Sequence, residues 1–231
     1  MKAQQGTVRV ISTSGEPFRD RVEAGKLLAA ELMEYRGKKA AILGIPRGGV
    51  IIAYEMAREL LADMDIVLTH KLGAPYNSEL AVGAVCEDGT HFVNESIAGY
   101  VGADKRYIVA EKEHQLKEIS RKVGLYRPAL AKLPLAGRIV IATDDGVATG
   151  ATMQAALWAI RKEKPAKIVL AIPVGPPDSI NRLIADADET VCLKTPYDFQ
   201  ALGRFYLDFP QVDDEQLLQI LEAEGKRRSE K

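Results

Sequence analysis

The sequence predicts an α/β fold, wound on both faces of a five-stranded parallel sheet. Three observations carry that prediction. Five short apolar runs, at residues 40–45, 65–69, 138–142, 167–173 and 189–193, read as strands bounded by turn formers. Segments of helical periodicity lie between them, and alternating strands and helices build a parallel sheet covered on both sides. The chain of 231 residues is 47% hydrophobic and 27% charged, the composition of one sizeable soluble domain with an elaboration and short for two.

The elements follow in order. Residues 20–35 read as a helix: Asp20 and Glu23 have capping-box spacing, Val22, Ala24, Leu27 and Leu28 form the apolar face, and Gly37 follows the end. The strand at 40–45 enters the turn Pro46-Arg47-Gly48-Gly49. A helix at 50–61 and the strand at 65–69 come next, an order that implies a right-handed crossover. Residues 80–86 and 90–93 flank Glu87-Asp88-Gly89 and read as a β-hairpin. A charged helix covers 104–123, with Asp104 as N-cap, Gly124 as stop and one apolar face of Ile108, Leu116, Ile119 and Val123. The strand at 138–142 leads into a helix at 151–162, which stops before Pro165. The strand at 167–173, a short helix near 178–186 and the strand at 189–193 complete the core. An aromatic segment with Phe199, Phe205, Tyr206 and Phe209 precedes a helix at 213–224, and Lys226-Arg227-Arg228 reads as a frayed, solvated tail.

Several function classes are excluded or disfavoured. A net charge of −1 provides no general footprint for nucleic acid, and binding to it is not expected. Cys86 and Cys192 are too few for a disulfide framework and read as buried thiols. His70, His91 and His114 lack metal-ligand spacing. No run has membrane-spanning length and no segment resembles a signal peptide, so a cytoplasmic protein is expected. Neither the P-loop pattern nor the dinucleotide pattern occurs after a strand.

The most informative segment runs from Ile139 to Thr152. An apolar strand ends in two adjacent carboxylates, Asp144 and Asp145, and a small-residue turn opens directly into a helix. Gly146 and Gly150 can take φ > 0 and admit a ligand to the backbone. Thr149 and Thr152 add hydroxyls, and the first helical N–H groups, from about Ala151, have no partner inside the helix. Hydrogen bonds to a charged acceptor contribute roughly 1.5–3 kcal/mol each. The helix dipole contributes only ~0.3–1 kcal/mol. Backbone donors should therefore dominate a phosphate cradle from Ala148 to Thr152. A sugar diol with a terminal phosphate would fit the acids and the cradle together; the alternative is a solvated acidic turn before an ordinary helix. Loops at 46–49, after Lys71 and at 144–152 all leave the carboxyl edge of the predicted sheet, where such folds bind ligands.

This segment resembles the signature of the type I phosphoribosyltransferases: an apolar strand, two acids, two or three small or apolar residues, then Thr-Gly-x-Thr. The resemblance covers about residues 17–222 and is strongest to bacterial phosphoribosyltransferases with no assigned acceptor, through Phe18-Arg-Asp-Arg21, Lys71-Leu-Gly-Ala-Pro75 and Tyr206-Leu-Asp-Phe209. It implies a single domain over 1–231, with a core at 38–193, a hairpin and helix insertion at 80–125, and a hood from 1–37 and 194–231.

The resemblance also implies roles. Asp144 and Asp145 would hold the ribose hydroxyls of 5-phosphoribosyl-1-pyrophosphate (PRPP), and Ala148, Thr149, Gly150, Ala151 and Thr152 its 5′-phosphate. Arg47, Gly48, Gly49 and Lys71 would receive pyrophosphate, with Lys71 to Glu79 as a closing lid. Mg²⁺ would be held by Asp144, Asp145 and Asp208, largely through PRPP or water, and Phe199 or Phe205 would stack on the acceptor base. Taken alone, Arg47 and Lys71 also read as surface side chains, and the aromatics as core. The purine-salvage branch carries an acid where this chain has Ala148, and a lysine where it has Pro173-Val-Gly-Pro-Pro177, so the acceptor is open. The implied activity is transfer of the phosphoribosyl group to a nitrogen nucleophile, by a homodimer. A PRPP- or nucleotide-binding regulator without turnover is the alternative.

Overall fold

In the computed structural model, residues 6–230 are described. They begin with β1 (Thr7–Ser12), α1 (Arg21–Glu31), β2 (Ala41–Gly44), α2 (Gly48–Glu59) and β3 (Asp63–Ile66). A second unit follows: β4 (Thr69–Ala74), β5 (Asn77–Cys86), β6 (His91–Val93), α3 (Glu95–Tyr100) and α4 (Lys105–Tyr126). The chain then returns through β7 (Ile139–Thr143), α5 (Ala151–Lys162), β8 (Lys167–Val174), α6 (Pro177–Leu183), β9 (Glu189–Lys194) and α7 (Asp214–Ser229).

The main sheet is parallel, in the order β1-β9-β8-β7-β2-β3. Alternation along its strands sorts the core into two layers. Ile42, Ile141, Val169 and Ala171 face α1, α2 and α7, while Leu43, Val140, Leu170 and Ile172 face α5 and α6. The expected doubly wound α/β fold is the one observed. A sixth strand, β1, was not foreseen: residues 7–12 extend the core sheet, whereas the expected hood began at residue 1. The ends of that expected range, 1–5 and 231, lie outside the described residues. Among the described residues β1 pairs only with β9, and Val8, Val10 and Ile11 remain largely exposed, so it lacks the unbroken apolar run of a covered strand.

Asp20 caps α1 as its spacing predicts, its carboxylate accepting from Glu23 N at 2.8 Å; Glu23 reaches back one residue further, to Arg19 N. Three other expectations change. The segment at 71–79 is not an irregular loop: β4 and β5 form a hairpin through it, and β6 completes a small antiparallel sheet. Gly124 does not stop α4, which continues until Tyr126 is buried and its hydroxyl donates to Asp214 at 2.6 Å. That anchor outweighs a glycine penalty of about 1 kcal/mol. The basic end is not frayed. Arg227 forks onto the fully buried Glu224, which itself accepts from Met64 N at 2.8 Å, and Arg228 donates to the Ala131 carbonyl at 2.8 Å.

The second unit is bolted to the main sheet by Arg127. Its guanidinium joins buried Asp65, at the end of β3, to Glu87 in the β5–β6 turn, at 2.6 and 2.7 Å. Cys192 is buried, its thiol pushed up to about 12 by desolvation, whereas Cys86 is only partly buried; both are free.

Candidate active site

The strand order reverses between β2 and β7: the chain winds from β2 toward β3 on one side and from β7 toward β9 on the other. Loops diverge at such a switch point and leave a crevice beyond the carboxyl ends. The turn after β2 and the acid pair after β7 meet there. An added Cβ on Gly48 would lie 1.9 Å from Asp145 Oδ2, and one on Gly49 2.8 Å from Asp144 Oδ1. The two glycines thus let the backbone of one loop rest directly on both carboxylates of the other.

Asp145 is held from three sides. Arg21 Nε donates to its Oδ2 at 2.9 Å, Tyr206 Oη donates to its carbonyl at 2.6 Å, and Asp145 N donates to Asp144 Oδ1 at 2.8 Å. Arg21 is itself buried, donating to the Pro210 carbonyl at 2.8 Å and lying 3.8 Å above the ring of Phe209. Neither Arg21 nor Tyr206 was expected in the site; the only sequence signal was their place in the two flanking segments Phe18–Arg21 and Tyr206–Phe209.

The cradle from Ala148 to Thr152 is fastened from behind. Ser179 Oγ donates to the Ala148 carbonyl at 2.6 Å, and Arg182 to the Thr149 carbonyl at 3.2 Å. With carbonyls engaged, Ala148, Thr149 and Thr152 are exposed to solvent at the start of α5. Gly150 caps α5 at φ +78 and has no side chain to offer the first turn; Ala151 N donates to Thr149 Oγ1 at 3.4 Å, which leaves the next N–H groups, of Thr152 and Met153, for a ligand.

Arg47 and Lys71 border the crevice. Arg47 is partly exposed, with Nη1 3.7 Å from Asp214 Oδ1, and Lys71 Nζ lies 2.9 Å from Glu79 Oε1. A cleft of ≈ 250 Å³ runs between Pro46, Lys71 and Thr152, so the three predicted loops share one opening. Phe199, Phe205 and Asp208 are not among the residues that line this cleft. Phe205 is buried and stacks on Phe199 at 5.1 Å, both packed on the main core, so Phe205 presents no free ring face to a base. Asp208 is exposed, and no group of three metal-ligating side chains occurs among the described residues.

Residues 20–209 match the phosphoribosyl transferase domain family. The chain belongs to the phosphoribosyl transferase family. It is 41% identical over 205 residues to a Mycobacterium tuberculosis (strain H37Rv) protein named "Putative phosphoribosyl transferase Rv0571c", covering 89% of this chain and 46% of that one. The chain thus spans about half the length of the curated relatives it matches. Among solved structures it resembles TT1426 from Thermus thermophilus, at 43% identity and a TM-score of 0.85, covering 90% of this chain and 98% of that one.

In this chain, burial and the neighbouring Asp145 push the Asp144 carboxyl well above the usual carboxylate range. Between its unfolded value of 3.8 and its raised folded value, the folded chain binds the extra proton. Its contribution to stability therefore falls as pH rises through that window. Asp144→Asn removes the cost. The variant is expected to melt above wild type around pH 7, the gap closing toward about pH 4. Thermal unfolding across that range measures it, and a variant less stable at neutral pH would contradict the assignment. Two adjacent carboxylates without a third suit Mg²⁺, which keeps waters and takes one or two carboxylates plus substrate phosphates.

Proposed function

We propose that the chain is a Mg²⁺-dependent phosphoribosyltransferase that transfers the 5-phosphoribosyl group of PRPP to a nitrogen nucleophile and releases pyrophosphate. The observation that supports this reading most is the diglycine turn seated on both acids, beside the open start of α5. One crevice then offers backbone donors and Arg47 to a diphosphate, carboxylates to a diol, and a helix start to a monophosphate.

In the reaction, the bond from C1 to the pyrophosphate oxygen breaks as the bond from the acceptor nitrogen to C1 forms, and the acceptor loses its proton. Ala148 to Thr152 hold the 5′-phosphate, and Asp144 and Asp145 hold the ribose hydroxyls. Their negative potential favours the cation-like ring as charge develops. Arg47, Lys71 and the N–H groups of Gly48 and Gly49 steady the departing diphosphate. Asp144 and Asp145 would hold Mg²⁺, which would supply charge neutralisation of the leaving group.

The test is thermal unfolding with and without Mg²⁺-PRPP. At 100 times its dissociation constant, PRPP should add ~2.7 kcal/mol of stability to wild type. The shift should vanish without Mg²⁺ and in Asp144→Asn/Asp145→Asn. No shift for wild type at millimolar PRPP would dispose of the proposal; a shift would license a screen of nitrogen heterocycles for pyrophosphate release.

A further inference from the structure

The cleft beside the diglycine turn has a wall that the donor reading leaves unused. Helix α4 supplies it, and on it stands Lys122, partly buried, with its ammonium 3.2 Å from His70 Nε2. An ammonium can only donate, so His70 Nε2 accepts and Nδ1 carries the ring proton. Nδ1 then donates to Gln115 Oε1 at 2.7 Å, and Gln115 Nε2 donates to Glu111 at 2.9 Å. Three side chains in series thus hold one lysine in place.

What they do not give it is a counter-charge. Lys122 forms no ion pair with a carboxylate among the described residues, whereas Lys71, in the same cleft, pairs with Glu79. Desolvation first, then the charges of Arg121 and Arg47, hold the lysine below its ordinary value, although Glu118 and Asp214 act on it in the opposite direction without forming an ion pair. A desolvated ammonium beside a guanidinium is unfavourable in the free protein. A polyvalent anion between them would reverse the sign of that interaction. Pro46 and Thr152 place the cleft against both the turn and the cradle of the donor site.

We propose that Lys122, carried by the inserted helix α4 and set by His70, is a further binding residue for the diphosphate end of the donor. The proposal rests on the phosphoribosyl-transfer reading above and extends it to a part of the chain outside the shared signature. The unit that interrupts the core then acts as a further wall of the leaving-group site.

The test uses isothermal titration of the full chain with two probes, inorganic pyrophosphate with Mg²⁺ and ribose 5-phosphate. Lys122→Gln should weaken pyrophosphate binding about tenfold or more, the scale of one lost hydrogen bond to a charged acceptor. Its affinity for ribose 5-phosphate should stay unchanged, and Lys122→Arg should retain most of the pyrophosphate affinity. His70→Leu, which keeps the ammonium but frees it, should show a smaller loss confined to pyrophosphate. Equal pyrophosphate affinity in wild type and Lys122→Gln would overturn the proposal, as would a parallel loss of ribose 5-phosphate, which signals damage to the fold. Failure of wild type to bind ribose 5-phosphate would instead overturn the donor reading, and Lys122-dependent pyrophosphate binding would still establish the anion site.

Discussion

Gly48→Ala should cost the protein its donor site while leaving it folded. The added Cβ would lie 1.9 Å from Asp145 Oδ2, 2.6 Å from Asp145 Cγ and 3.0 Å from Arg21 Nε. None of these atoms can withdraw easily. Arg21 grips the carboxylate at 2.9 Å and Tyr206 grips the carbonyl of the same residue at 2.6 Å. Either the turn lifts away from the acids or the Arg21 pair opens. Overpacking of this kind costs typically about 1–3 kcal/mol of stability. The effect on binding should be larger, because the turn and the acids must face one ligand together. We expect Mg²⁺-PRPP affinity to fall by about 100-fold, close to 2.8 kcal/mol at 1.4 kcal/mol per factor of ten. Titration calorimetry on the folded variant measures this, and an unchanged affinity would show that the turn and the acid pair do not act as one site.

Arg21→Met is the largest stability change expected. Arg21 and Asp145 are 8% and 13% exposed in their side chains, so their ion pair is mostly withdrawn from water. Removing one partner of such a pair costs about 3–5 kcal/mol, chiefly because the other charge is left desolvated. Asp145 keeps some contact with the crevice, which places the expected loss near the lower end, at about 3 kcal/mol. The double variant Arg21→Met/Asp145→Asn should recover much of it, since neither charge then remains. Urea unfolding midpoints at a constant slope supply the comparison. A single variant within about 0.5 kcal/mol of wild type would mean that the pair contributes no more than an exposed one.

Much of this was legible in the sequence, and the reason differs by element. The helix from Ala151 to Lys162 appeared with the expected bounds because its signals are contiguous: a glycine at the cap, apolar spacing along one face, and a proline beyond the end. Most covered strands were equally plain, since burial on both faces demands unbroken apolar runs, but the strand expected at 65–69 forms earlier, at Asp63–Ile66, and Thr69 opens β4 of the second sheet. β1 escaped because an exposed edge imposes no such demand. The hairpin at 69–86 escaped because its glycine, proline and asparagine read as a loop, while pairing between β4 and β5 gave those residues an extended backbone. The aromatic segment was ambiguous by itself. Packing resolved it, burying Phe205 in the main core and leaving Tyr206 to hold the Asp145 backbone.

The sequence by itself determined the order of the five covered core strands and the helices between them, the acid pair and the glycine-capped cradle that follows it. Each of these depends on neighbours a few residues apart, where backbone freedom and side-chain period act directly. Only the tertiary structure decided what surrounds them. Arg21 lies 124 positions from the carboxylate it binds, and Lys122 lies 52 from the imidazole that sets it. Contacts so distant leave no periodic trace in the chain, because each partner is chosen by the crevice both enter and not by the residues beside it.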